Sequence, residues 1–177
     1  IPCLFAAVEF DYSQHGANRL GANSLLSAIY AGTVAGPNAM KYIDGLNKHV
    51  EDVPESVFIE ALEIEKKAYA NLLSKSGTEN IYDLHKELGT LMTENVKVVR
   101  YKDRLQKTLE KLEELLERYE NININDHSTW NNQTAVFARE LGGMIQLARV
   151  ITKGALLRDE SRGAHYKPEF PERDDEK

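Results

Sequence analysis

The sequence predicts a mainly α fold: an antiparallel bundle of three to four helices, preceded by a strand–loop–helix segment. Three observations carry this. From Pro54 to Arg158, apolar residues recur in steps of three and four over four long stretches, the spacing that puts them on one face of a helix. The breaks between stretches are short, and the one after Glu120 runs Asn121-Ile-Asn-Ile-Asn-Asp126. Only one short apolar run, Leu4 to Val8, reads as a strand, and Gly16 and Gly21 mark the loop that follows it.

That strand has no sequence neighbour to pair with, so it is expected to be frayed, re-paired or packed on another molecule. From Asn23 a helix carrying Leu25, Leu26, Ile29 and Tyr30 is expected to reach about Gly36, where Pro37 ends or kinks it before Met40 to Leu46. Ala28, Ala31, Gly32 and Ala35 permit close packing along this helix. Asn47 to Val53 reads as a linker.

Pro54 suits the first position of a helix ending near Gly77, with Phe58, Leu62, Tyr69 and Leu72 as its apolar face. Ile81, Leu84, Leu88 and Leu91 give a second helix, about Asn80 to Asn95. A third, about Tyr101 to Glu120, shows Leu105, Leu109, Leu112, Leu116 and Tyr119, with Glu114 and Arg118 paired outside. The fourth, about Asn131 to Arg158, has Phe137, Leu141, Met144, Ala148, Ile151 and Ala155 as its stripe. Ser128 or Thr129 is expected to cap it, with Trp130 anchoring the corner. Two or three heptads also suit a coiled coil with a partner, but short antiparallel helices on short loops more often seal their own core.

Composition narrows the function. The chain has 177 residues, 42% hydrophobic, with a net charge of −6, and its Lys and Arg are interspersed with acids. No clustered cations neutralise phosphates, so nucleic acid is not expected as a partner. Cys3 is the single cysteine and the five histidines lie scattered, so neither a disulfide nor a metal site is expected. No stretch approaches the roughly 20 apolar residues that span a bilayer, and no direct membrane insertion is expected.

The chemistry gathers in His15-Gly16-Ala17-Asn18-Arg19-Leu20-Gly21-Ala22-Asn23-Ser24-Leu25-Leu26. On turn chemistry alone this is either a glycine turn with a solvated Arg19 or a binding loop. In the second case Arg19 offers a planar two-pronged donor to a carboxylate, and the helix start offers free N–H groups to an electron-rich ligand. A phosphate loop of the G-x-x-x-x-G-K-[ST] kind fails, because Ala22 stands where its lysine belongs.

This run, preceded by Leu4 to Ala7 and Glu9, closely resembles the end of the FAD-binding domain of succinate dehydrogenase and fumarate reductase flavoprotein subunits. A second match, Arg158-Asp159-Glu160-Ser161-Arg162-Gly163-Ala164-His165-Tyr166-Lys167-Pro168-Glu169-Phe170-Pro171-Glu172-Arg173, follows at the spacing that family shows. The resemblance covers essentially the whole chain, and the form found in Gram-positive bacteria looks nearest. It implies three parts: 1–50 as the tail of the FAD-binding domain, 51–160 as the helical bundle, and 161–177 as the start of a C-terminal segment. The abrupt opening and charged end fit an excised piece.

The resemblance also implies roles. Arg19 binds a substrate carboxylate, and Glu9, Asn23, Ser24 and Leu25 contact FAD. His15, Glu160, Arg162 and His165 lie on the substrate side or tie the two domains together. The whole subunit would oxidise succinate to fumarate and pass electrons to an iron–sulfur subunit, a membrane-anchor subunit and quinone, on the cytoplasmic membrane face. The sequence departs from the pattern at Cys3 and Val8, where the family has glycines, and at Phe10.

No G-x-G-x-x-G fingerprint, flavin-linking histidine motif or proton-shuttling capping region is present, so this piece alone is expected to be inactive. Two other readings stay open: an L-aspartate oxidase-like flavoenzyme, or a purely structural helical interaction module.

Overall fold

The computed structural model describes residues 3–7, 19 and 21–176. Its elements are α1 (Ser24–Asp44), a short 3₁₀ turn (Val50–Asp52), α2 (Glu55–Leu73), α3 (Ile81–Asn95), α4 (Lys102–Glu120) and α5 (Gln133–Leu157). The architecture is mainly α, as expected, with isolated bridges in place of a sheet among the described residues.

The bundle is α2 to α5. Its packed pairs are α4 with α5, α3 with α4, α3 with α5 and α2 with α5. Leu84, Leu112, Leu115, Leu141 and Ile145 are fully buried between them, joined by Ile122 and Ile124 from the α4–α5 loop. That loop docks on the α2–α3 loop: Gly77 N–H donates to Ile122 O at 3.0 Å, and Ile124 N–H to Lys75 O at 2.9 Å. Burial of the two isoleucines therefore costs no unpaired backbone at these groups.

Gly77 is held by this docking. A Cβ there would lie 1.9 Å from Asn121 O, a backbone atom, so one loop has to move away. Gly77→Ala is expected to destabilise the bundle by about 1–3 kcal/mol, read as a fall in the urea midpoint. An unchanged midpoint would contradict the described loop contact.

Several sequence expectations need correction. Residues 4–7 form neither strand nor helix; without neighbouring strands no ladder satisfies their backbone. Phe5 instead meets Tyr42 edge-on, with centroids 5.6 Å apart. Pro37 does not end α1, which runs on to Asp44. A proline inside a helix removes one backbone donor, and here Asn38 Nδ2 adds a bond to Val34 O at 2.8 Å on the same turn.

In α5 the buried face is Ala135, Ala138, Leu141, Ile145, Ala148, Thr152 and Ala155. Phe137 and Met144 flank it, and Ile151 is 51% exposed. The buried face is thus Leu141 and Ile145 set among four alanines and Thr152, turned away from the Phe137–Met144–Ile151 line. In α4, likewise, Leu105, Thr108, Leu112 and Leu115 are buried, and Leu109, Leu116 and Tyr119 are only partly so. Thr108 tolerates burial because its hydroxyl donates to Arg104 O at 2.8 Å.

Arg118 does not pair with Glu114. It reaches α3 and the preceding loop, at 2.7 Å from Glu87 and 3.0 Å from Glu79, while Glu114 binds Lys111. Nor does Trp130 anchor its corner, being 88% exposed. Buried Asn132 does so. Its Oδ1 accepts from Ala135 N–H at 2.8 Å as the α5 cap, and its Nδ2 donates to Asp126 O and Ser128 O at 2.6 and 3.0 Å. Phe58 and Leu62 are more than half exposed, so only the C-terminal end of α2 joins the core, through Leu72 and partly buried Tyr69.

Candidate functional site

The site residues fall into two groups. The first is the loop entering α1. Arg19 is exposed there, whereas Glu9 and His15 lie outside the described residues, as do Val8 and Phe10.

Just before α1 the backbone turns through two consecutive residues of positive φ, Gly21 at 145° and Ala22 at 59°. The second is strained for a residue with a Cβ. Asn23 occupies the N-cap without making a side-chain cap bond, and the first turn carries no acid. The N–H groups opening an α-helix have no partner within it, so the start at Ser24 and Leu25 presents unshielded donors at the positive end of the helix dipole. Ser24 and Leu25 are exposed, the latter at 74%. The arrangement can accept a negatively polarised carbonyl or anion.

Cys3 has φ 64°, the left-handed region that favours glycine. Its thiol lies 3.6 Å from the Tyr42 hydroxyl.

The second group follows α5. Glu160 is buried and carries three partners: the Arg158 guanidinium, the Arg162 guanidinium at 3.0 Å, and Asp174 N–H at 3.0 Å. Donation by Arg162, with help from Asp174 N–H and Arg158, holds its carboxyl down to about 2. Since the ordinary value is 4.5, the stability this adds is present above about pH 4.5 and lost as the pH falls toward 2. Arg162 reaches on to Asp174 O at 2.7 Å and Asp175 at 2.9 Å.

His165 is 1% exposed, with Nδ1 at 2.7 Å from Arg100 Nη1 and Nε2 at 3.3 Å from Arg158 O. Burial first, then the charge of Arg100, pushes its pKa below the usual histidine value. Glu160, Arg162 and His165 therefore share one polar strap, residues 158–176. Among the described residues no hydrogen bond or ion pair joins Glu160, Arg162 or His165 to Arg19 or to the start of α1.

Two residues of this strap system were assigned no role from sequence. Arg100, in the α3–α4 connection, also donates through Nε to Val96 O and Lys97 O at 3.1 and 2.7 Å. Lys167 is fully buried, and its ammonium donates to Leu156 O, Arg158 O and Asp159 Oδ1 at 2.8, 3.2 and 2.8 Å. It closes the end of α5 with a positive charge, where the carbonyls lack partners. Lys167 carried a signal, since it sits inside the second motif; a lone arginine 65 residues from His165 carried none.

Among the described residues no cluster of His, Cys, Asp or Glu is placed to hold a metal, and no helix is long and apolar enough to cross a membrane.

A helical bundle with a polar strap at its exit places the chain in a recognisable class: residues 85–177 match the family described as the fumarate reductase flavoprotein C-terminus, and the chain belongs to that family. It is 60% identical over 176 residues to the succinate dehydrogenase flavoprotein subunit of Bacillus subtilis, covering 99% of this chain and 30% of that protein. It is 35% identical over 173 residues to an FAD-dependent oxidoreductase of Methanocaldococcus jannaschii, covering 98% of this chain and 30% of the relative. A solved structure of Escherichia coli quinol fumarate reductase FrdA superposes with a TM-score of 0.78 at 33% identity, over 91% of this chain and 27% of that one. The chain thus spans about 30% of the length of these curated relatives.

Proposed function

We propose that this chain is the C-terminal portion of a flavoprotein subunit that interconverts succinate and fumarate, with 1–50 completing an FAD-binding domain, 51–160 forming the helical domain and 161–177 opening the C-terminal segment. The observation that carries this is the 60% identity to the B. subtilis succinate dehydrogenase flavoprotein subunit across 99% of the chain. The intact subunit would pass electrons to an iron–sulfur subunit and quinone, held by a membrane-anchor subunit at the cytoplasmic face.

The start of α1 fits FAD. Its first turn has no acid and no side-chain cap, so main-chain donors at Ser24 and Leu25 are available to the electron-rich edge of the flavin ring. When bound, FAD supplies the acceptor for the hydride leaving the substrate. Asn23 would sit beside the ring and Glu9 against the sugar-alcohol portion. Arg19 would take one substrate carboxylate with a bidentate, charge-assisted pair of hydrogen bonds and so fix which C–H bond faces the flavin. His15 would shape the loop. Glu160, Arg162 and His165 would tie the bundle's exit to the flavin domain, since their ion pairs already fix the chain direction after α5.

Activity tests this reading. The subunit assembled from this chain and the remaining 70% of the B. subtilis relative is expected to oxidise succinate with an artificial electron acceptor, and the 177-residue chain alone is expected not to. Turnover by the chain alone, or none by the assembled, yellow, FAD-loaded subunit, would overturn it.

A further inference from the structure

We propose that His165 is a proton-operated latch: a proton taken up on its Nδ1 breaks the bond to Arg100 and uncouples the strap from the α3–α4 connection while the bundle stays folded. A guanidinium only donates, so the 2.7 Å contact to Arg100 Nη1 makes Nδ1 the acceptor. The single ring proton is then on Nε2, facing Arg158 O at 3.3 Å. Both nitrogens are used, and only the neutral ring can use them this way. A second proton would point at a cation inside a ring environment that is 1% exposed.

The charged groups around the ring allow no alternative. Arg100 faces it from the α3–α4 connection, Arg158 from the end of α5, and Lys167 from the strap itself. The nearby acids are committed elsewhere: Asp159 to Lys167 and Lys102, and Glu160 to Arg158 and Arg162. Both carboxyls are held below their ordinary range by these cations, so they stay ionised at about pH 5 and above.

What the latch holds is a polar joint. Arg100 N–H donates to Tyr166 O at 2.8 Å and Tyr166 N–H to Val98 O at 3.0 Å, with Lys102 N–H on Glu169 Oε1 at 3.0 Å just beyond. No residue of 158–176 belongs to the buried apolar clusters that hold the bundle. The strap keeps its second anchor, the Lys167 ammonium, which donates to Leu156 O at the end of α5 and to Asp159 Oδ1, neither of them part of the His165–Arg100 contact. Opening is therefore confined to the joint at residues 98–100 and 165–166.

Hydrogen exchange on the 177-residue chain tests this at the Arg100 and Tyr166 amides. Between about pH 7.5 and about pH 5 their protection factors are expected to fall roughly tenfold, with the α4 core amides unchanged. In His165→Asn, which keeps an acceptor near the Nδ1 position and cannot titrate, the fall is expected to vanish. An equal fall in the variant, or loss of core protection in step with the joint, would overturn the latch. The ring's own ¹⁵N titration in the wild-type chain decides the matter independently of whether the variant folds: Nδ1 unprotonated at neutral pH with a pKa below the ordinary 6.5 supports the latch. A pKa at or above that value sinks it.

Discussion

Replacing Arg19 by Gln in a subunit carrying this chain is expected to lower kcat/KM for succinate by about 30- to 1000-fold with FAD content unchanged, the equivalent of losing about 2–4 kcal/mol from a desolvated carboxylate pair. The size follows from what would be left behind: a substrate carboxylate held by Arg19 in a closed site would lose two charge-assisted hydrogen bonds and gain none. Arg19→Lys keeps the charge but not the fork, so it is expected to recover part of the loss. Steady-state kinetics with an artificial acceptor, alongside the flavin absorbance of each variant, separates this from a folding defect. Equal kcat/KM in wild type and Arg19→Gln would remove Arg19 from the site.

The largest expected effect on stability lies at the other end of the chain. Lys167→Met keeps the length and apolar stem of the side chain and deletes only the ammonium. Leu156 O, Arg158 O and Asp159 Oδ1 then lose a shared donor at a position that is fully buried. Hydrogen bonds to charged groups are worth about 1.5–3 kcal/mol each, and water can rescue only the Asp159 side, which is 35% exposed. A net loss of about 2–3 kcal/mol is expected, or roughly 5–10 °C in Tm. Urea unfolding checks it. The variant should also let the Asp159 carboxyl rise toward its ordinary range, because donation by Lys167 is the main cause of its depression. A fully stable Lys167→Met chain with Asp159 unmoved would show that the ammonium is not the anchor of the strap.

The helices were legible in the sequence because one apolar face at helical spacing is enough to define each of them. Asn80 at the start of α3 and the break near Tyr101 fell within a residue or two of the observed ends. Register was less legible. A hydrophobicity pattern weighs Phe137, Met144 and Ile151 above Ala138 and Ala148, yet in the fold the two alanines are buried and Ile151 is exposed. Pro37 read as an end or a kink because its local cost is certain, whereas the bonds that carry α1 past it depend on the turn around it. The partners of Arg118 were invisible for a different reason: an i, i+4 glutamate is the obvious neighbour in sequence, while Glu79 and Glu87 become neighbours only when α3 packs on α4.

The candidate site divides the same way. Arg19 and the start of α1 are proposed from residue types and motif order, since the chemistry of a carboxylate clamp and a helix start is local. Arg100 and its pairing with His165 could not be read this way, because they join an interhelical connection to a strap that meets it only in the fold.

The claim that the α1 entry loop forms one wall of a dicarboxylate and flavin site is tested most directly by a crystal structure of the FAD-loaded subunit carrying this chain, soaked with fumarate. The Arg19 guanidinium is predicted to lie within about 2.7–2.9 Å of both oxygens of one carboxylate, with the Ser24 and Leu25 N–H groups directed at the flavin ring. An Arg19 turned to solvent, with both carboxylates held by other residues, would contradict the account.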